Sequence, residues 1–243
     1  MNIKDYIVEC QTRKFRCVEY EFNYESDTND KKLLNNLINK GEILAQHVNP
    51  TLARDASKNR SYEQVRRNCI AGVIAEYCWI DWLSSKSTEI SIYSKKFKSA
   101  DKQIDIFIIY PDNSERTIEV RSSFPYKGLK FAVCKGFDII GWYTNPVKTM
   151  EIKKDYYVRV LYPFHEKKFL NKMLLDSFSV FLTGGASRKL LETSPYSKDK
   201  TLTPYDDIDA MRSSQKAVYR VIEPIVNAND TCEITEHILN QTM

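Results

Sequence analysis

The sequence predicts an α/β fold: a mixed central β-sheet flanked by helices, with an extra hairpin and helix at the N-terminus and further helices toward the C-terminus. Three observations predict it. An amphipathic helical stretch over residues 61–83 is followed by three strand-like runs at 89–93, 103–110 and 117–121. Two continuous apolar runs, DIIGWYT at 138–144 and YYVRVLY at 156–162, read as strands buried on both faces of a mixed sheet. A short helical run at 129–135, closed by Gly136, lies before them, so strand, short helix and strand complete the core through a right-handed crossover.

In chain order, residues 3–10 and 15–22 form a small hairpin, because Val18, Tyr20 and Phe22 alternate with Cys17, Glu19 and Glu21. Residues 30–47 form a helix carrying Leu33, Leu34, Leu37 and Ile38 on one side, with Gly41 weakening its middle. The polar stretch 49–60 is a loop, with Arg54, Lys58 and Arg60 available to an anionic partner. The helix over 61–83 opens with a capping box, Ser61 followed three residues later by Gln64, and Val65, Cys69, Ile70, Val73, Tyr77 and Ile80 recur at helical spacing. At roughly 100° per residue, Glu76 falls between Val65 and Cys69, inside the apolar face. A carboxylate there is expensive to bury alone, so it either meets a buried cation such as Arg66 or points from the core's edge into a site.

Downstream, Lys95, Lys96 and Lys98 form a basic turn, and residues 166–182 read as a helix with Phe169, Leu170, Met173, Leu174 and Phe178 on its face. The run TGGASRK at 183–189 lacks the spacing of a phosphate-binding P-loop, which argues against a nucleotide cofactor, and reads as a helix break or hinge. Residues 192–204 read as a mobile loop, 207–222 as a helix carrying Ile208, Met211, Val218 and Ile222, and 231–239 as a short helix. Neither an internal repeat nor an interdomain linker is visible, so residues 1–243 read as one domain.

Composition sets limits. Hydrophobic residues at 42% and charged residues at 28% describe an ordinary soluble globular chain of 243 residues. No run approaches the roughly 18 apolar residues of a membrane span, and the early charges of MNIKDYIVECQTRKF do not suit a signal peptide. The six cysteines include no C-x-x-C pair and His47, His165 and His237 lie far apart, so neither a zinc site nor a Cys-His nucleophile is supported. This reads as a cytoplasmic protein with reduced thiols. The net charge of +4 is uneven: residues 121–172 hold eleven Lys and Arg against four Asp and Glu, and the rest is slightly acidic. Such a segment suits a polyanion.

The chemistry concentrates at 101–123, DKQIDIFIIYPDNSERTIEVRSS, where residues 111–114 supply turn chemistry between two strands. Alternation puts Glu119 and Arg121 on one face and Ile118 and Val120 on the other. Folding about residue 112 or 113 brings Asp105 beside Glu119 and Arg121. Two acids on neighbouring strands repel unless a cation stands between them, and oxygen-seeking Mg²⁺ is the natural candidate.

An Asp, then Glu-x-Lys at the end of the next strand, then a small hydroxyl residue resembles the active site of the PD-(D/E)XK nuclease superfamily, which includes many type II restriction endonucleases. The matching residues are Asp105, Glu119 and, in place of the lysine, Arg121, which binds phosphate well but is a poor base. The resemblance covers this hairpin directly. It implies a restriction-endonuclease-like core over about residues 61–182, with 1–60 and 183–243 as elaborations, and a helix ahead of the strands that contributes an acid, the position of Glu76. It also implies Mg²⁺, with Mn²⁺ as a substitute, held by Asp105, Glu119 and Glu76, and Arg121 on the scissile phosphate. Ser122 and Ser123 can reach a phosphate, and Lys127 and Lys130 are near enough to stand in for the lysine. The implied activity is site-specific endonucleolytic hydrolysis of double-stranded DNA by a homodimer. A DNA-binding protein that keeps the fold without catalysis, and an α/β protein whose acidic trio is an ion-pair cluster, are the alternatives.

Overall fold

A computed structural model describes residues 1–48, 61–94, 105–144, 152–175, 177–201 and 218–241. The N-terminal hairpin is β1 (Asn2–Glu9) and β2 (Lys14–Asn23), followed by α1 (Thr28–His47) and α2 (Tyr62–Lys86). Three short strands, β3 (Ser91–Tyr93), β4 (Ile106–Ile109) and β5 (Glu115–Ser123), lead to α3 (Leu129–Phe131), which runs on as a π-helical turn over Ala132–Gly136. Then come β6 (Ile139–Thr144), β7 (Tyr156–Leu161), α4 (Phe169–Leu175), β8 (Ser177–Ser187), α5 (Arg188–Thr193), β9 (Ser197–Thr201), β10 (Val218–Ile222) and α6 (Thr231–Leu239).

Seven strands form the central sheet in the order β1-β2-β8-β7-β5-β4-β3. Every neighbouring pair is antiparallel except β5 and β7, so the sheet is mixed. The N-terminal hairpin extends this sheet through β2 and β8. One face packs Tyr20, Ile106, Ile118, Val158 and Leu182 against Leu34 and Leu37 of α1, Ile70, Ile74 and Trp79 of α2, and Ile234 and Ile238 of α6. The other face buries Tyr157, Leu161 and Phe181 against Leu129 and Val133 of the α3 region, Trp142 of β6 and Ile225. Helices thus cover both faces, as a sheet with buried strands requires. In sequence the centre of the molecule runs helix α2, antiparallel meander β3-β4-β5, helix α3, then β7 parallel to β5.

Several expectations are corrected. Residues 138–144 do contain a buried strand, but β6 joins a separate three-stranded sheet with β10 and β9. The expected helix over 166–182 consists of a 3₁₀ turn at Glu166–Lys168, the short α4 and the start of β8. Phe178, Val180 and Leu182 enter one core and Phe181 the other, and an apolar run buried on both sides has no period that separates a central strand from a helix.

The glycine pair of 183–189 is no hinge. Gly184 has φ +76°, and a Cβ on Gly184 or Gly185 would strike the main-chain oxygens of Asn229 and Tyr157 respectively. That close approach lets Gly185 and Asn229 exchange main-chain hydrogen bonds of 2.9 and 3.0 Å. The expected mobile loop at 192–204 contains the end of α5 and strand β9. Val218–Ile222, expected at the end of a helix, is strand β10, while residues 202–217 lie outside the described residues. Gly41 is a contact point: a Cβ there would lie 2.6 Å from Ile70 Cα, so the absent side chain lets α1 and α2 pack closely. Cys10 and Cys134 are joined in a disulfide, against the expectation of reduced thiols, while Cys17, Cys69, Cys78 and Cys232 are free. Among the described residues no helix is long and apolar enough to cross a membrane.

Candidate functional site

Helix α2 supplies the first acid. Its start is fixed by the capping box: Gln64 N–H donates to Ser61 Oγ at 3.2 Å, and Ser61 N–H donates to Gln64 Oε1 at 2.9 Å. Arg66, the cation that could have answered Glu76, is engaged elsewhere. Its guanidinium donates twice to Glu42 Oε1, at 3.0 and 2.5 Å, and stands 3.6 Å from Glu63. Glu76 instead faces Asp105 and Glu119. Burial, then Asp105, then Glu119 raise its proton affinity well above the usual carboxylate range. Glu76 keeps part of its surface open although protein atoms surround it densely, the situation of a group set in a recess.

The β4-β5 hairpin supplies the other two. Its turn is closed by Tyr110 N–H donating to Ser114 O at 3.0 Å and Asn113 N–H to Tyr110 O at 2.9 Å. Asp112 Oδ1 accepts from Ser114 N–H at 2.9 Å, and Asn113 takes the left-handed conformation, φ +63°, that Asn tolerates. The resulting register pairs Ile106 with Ile118 and Phe107 with Thr117, which sets Asp105 across from Glu119. Asp105, 8% exposed, accepts the Val120 N–H at 2.8 Å through Oδ2. Ile118 and Val120 pack toward α2, so Glu119 and Arg121 project from the other side of β5.

Glu119, 9% exposed, stands between two cations. Its Oε1 lies 3.0 Å from Arg121 Nη2 and its Oε2 lies 3.9 Å from Lys154 Nζ. Lys154 is only 3% exposed. Its ammonium also donates to Ile152 O at 2.9 Å, and its own N–H donates to Tyr157 Oη at 2.8 Å. These two cations do not satisfy the acids. Burial, then Glu119, push Asp105 up to about 8 despite the opposing pull of the Val120 N–H, Arg121 and Lys154. The site thus holds two acids whose proton affinity is raised, Glu76 in direction and Asp105 to about 8. Among the described residues no three His, Cys, Asp or Glu side chains converge closely enough to ligate an ion as they stand.

The remaining sequence candidates scatter. Ser122 is half-buried on β5, opposite Val160. Ser123 Oγ accepts from Arg159 Nη2 at 2.9 Å, and Arg159 lies beside Arg121 in the parallel β5-β7 register. Lys127 is exposed, its ammonium over the rings of Phe131 and Tyr126, and Lys130 is exposed on α3. Arg54, Lys58, Arg60, Lys95, Lys96 and Lys98 lie outside the described residues. Lys154 is the site residue that the sequence alone does not single out, since there it is one of the eleven Lys and Arg of the basic segment 121–172. No local signal ties it to Glu119, because the two are 35 positions apart and only the parallel pairing of β5 with β7 joins them.

Comparison with known proteins adds little chemistry. No family model matches the chain and no solved structure matches it. An uncharacterized protein of Methanocaldococcus jannaschii is 28% identical over 243 aligned positions, which cover 85% of this chain and 82% of that one.

Proposed function

We propose that this chain is a Mg²⁺-dependent endonuclease with a restriction-endonuclease-like core, cutting phosphodiester bonds in double-stranded DNA as a type II restriction enzyme does and acting as a homodimer. The observation that carries the reading is the electrostatic influence that Asp105 and Glu119 exert on Glu76, and Glu119 on Asp105. The three acids come from three core elements, helix α2, the start of β4 and strand β5, and their mutual repulsion, which Arg121 and Lys154 only partly offset, raises the proton affinity of Glu76 and Asp105. The order helix, three-stranded meander, helix, parallel strand is the framework expected around such a site.

The donor set fits a hard divalent cation in kind: carboxylate oxygens with the proton as their present competitor. Asp105 and Glu119, with Glu76, would hold Mg²⁺ or Mn²⁺, which when bound supplies Lewis-acid charge to the phosphodiester oxygens and the attacking water. Arg121 contributes a planar, always-charged donor fork to a non-bridging phosphate oxygen. Lys154 brings the compact ammonium that position 121 lacks, from the segment that leads into the adjacent strand β7, 3.9 Å from Glu119. The Val120 N–H fixes the orientation of Asp105.

Two observations favour a second reading, a DNA-binding protein without catalysis: among the described residues the acids do not converge as ligands, and Arg121 is ion-paired with Glu119. Incubation of purified protein with phage genomic DNA in Mg²⁺ and in EDTA, beside Asp105→Asn, separates the two. Discrete fragments that require the metal and vanish in the variant support the nuclease. Intact DNA with Mg²⁺ and with Mn²⁺, together with salt-sensitive DNA binding in EDTA, overturns it in favour of the binder.

A further inference from the structure

The segment that leaves the site strand has its own character. Residues 121–137 contain Arg121, Lys127, Lys130 and Lys135 and no acid. Within it two aromatic rings are held outward: Tyr126 is 70% exposed and Phe131 38% exposed. Phe124, by contrast, turns into the core, stacked on Tyr162 and edge-to-face with Phe169. Tyr126 and Phe131 share a single cation, the Lys127 ammonium, which stands 5.7 Å from the Tyr126 centroid and 5.0 Å from the Phe131 centroid. Phe131 is further seated by Gly136, where a Cβ would overlap its ring. Gly128, at φ +84°, makes the bend between the two rings.

Large exposed rings carry a hydration cost, and clustering them with lysines in an acid-free segment suits a partner that presents both flat π-faces and negative charge. Unpaired nucleotides are that partner. A paired duplex conceals its base faces and would engage only the lysines. We infer that Tyr126, Lys127 and Phe131 form a stacking platform for an unpaired base beside the cleaved phosphate, so that the preferred substrate carries a single-stranded tail, flap or extruded nucleotide next to duplex. Tyr126 is five residues beyond Arg121, within roughly 17 Å even at full extension, so the platform lies close to the site. The inference rests on the nuclease reading for the site itself, while the platform acts through binding alone.

The test is fluorescence anisotropy in EDTA with three probes of equal duplex length: blunt, carrying a short single-stranded tail, and carrying the same tail with abasic sites. The platform predicts that wild-type protein prefers the tailed probe, that abasic sites remove the preference, and that Tyr126→Ala and Phe131→Ala each weaken tailed binding roughly tenfold while leaving blunt binding unchanged. Tyr126→Trp retains the preference. Tyr126 is too exposed for its truncation to unfold the chain, which keeps the test open if Phe131→Ala folds poorly. Equal affinity for tailed and blunt probes, or a change in molecular mass of Tyr126→Ala by sedimentation with no change in nucleic-acid binding, overturns the platform. Mg²⁺-dependent cutting of the blunt probe, read in parallel, reports separately on the nuclease.

Discussion

Two buried aspartates live in opposite electrostatic worlds. Asp230, 1% exposed, caps α6: its Oδ1 accepts the N–H groups of Cys232 and Glu233 at 3.0 Å, and its Oδ2 lies 2.9 Å from Arg16 Nε and 3.1 Å from Arg13 Nη2. Burial pushes its proton affinity up, but the Arg16 hydrogen bond, the Glu233 N–H and the Arg16 charge together hold it below the usual carboxylate range. Asp105, nearly as buried, has one N–H donor and sits among Glu119 and Glu76, and its proton affinity rises. Asp230 is satisfied by the fold. Asp105 has only part of that support, and its raised proton affinity is what the proposed function requires of a group that a cation would satisfy.

Exchange of single charges breaks the comparison most sharply. Asp105→Asn keeps an acceptor for the Val120 N–H and removes one of the repelling acids, so urea unfolding should show stability unchanged or raised, while cleavage falls by about 10³-fold or more. Asp230→Ala should do the reverse: roughly 3 kcal/mol of stability lost, from an N-cap and from Arg16 deprived of its buried carboxylate, with the activity of the folded fraction intact. If Asp105→Asn proves the more destabilising of the two, the site is architecture. Lys154→Met comes next. It retains most of the buried volume and removes the ammonium facing Glu119, so cleavage should drop about 10²-fold at saturating DNA with unchanged DNA affinity in EDTA. Unchanged turnover in Lys154→Met would remove Lys154 from the site and leave Arg121 to act alone.

What could be read from the sequence follows the range of the interactions. The Ser61/Gln64 capping box, the turn at residues 111–114 and the alternation along 103–121 are local, and they place α2 and the paired strands β4 and β5 where expected, with Asp105 across from Glu119. Alternation fails at β8, whose two buried faces erase the polar half of the pattern, and at β6, whose apolar run fits either sheet equally well. The position of Glu76 on the apolar face leaves two outcomes open, and the choice depends on Glu42, which claims Arg66 from a different helix. Lys154 is hidden for the same reason. Its meaning depends on the parallel crossover that brings β7 against β5, a partnership set by packing of the whole sheet.

The smallest effect is the most diagnostic, because its sign differs between the two aspartates. Asp105 and Glu76 have folded-state proton affinities raised above their ordinary values of 3.8 and 4.5. Between about pH 4 and pH 8 the folded chain therefore binds more protons at this site than the unfolded chain, and the site's contribution, full below pH 4, is lost as pH rises. Asp230 is shifted the other way, so its contribution is present above pH 4 and is lost as the solution becomes more acid. Urea unfolding of wild type against Asp105→Asn should show wild type losing relative stability from pH 5 to pH 8, by at least ~1.4 kcal/mol, the free energy of a tenfold change in proton affinity. Saturating Mg²⁺ should abolish that loss, since an ion that takes the place of the proton stabilises the chain most where the acids are ionised. Calorimetric titration near pH 7 should accordingly show protons released as Mg²⁺ binds. A pH slope that survives Mg²⁺, with no proton release, would mean that the repelling acids answer to the proton alone, and the contrast with Asp230 would then reflect a strained core with no ligand to relieve it.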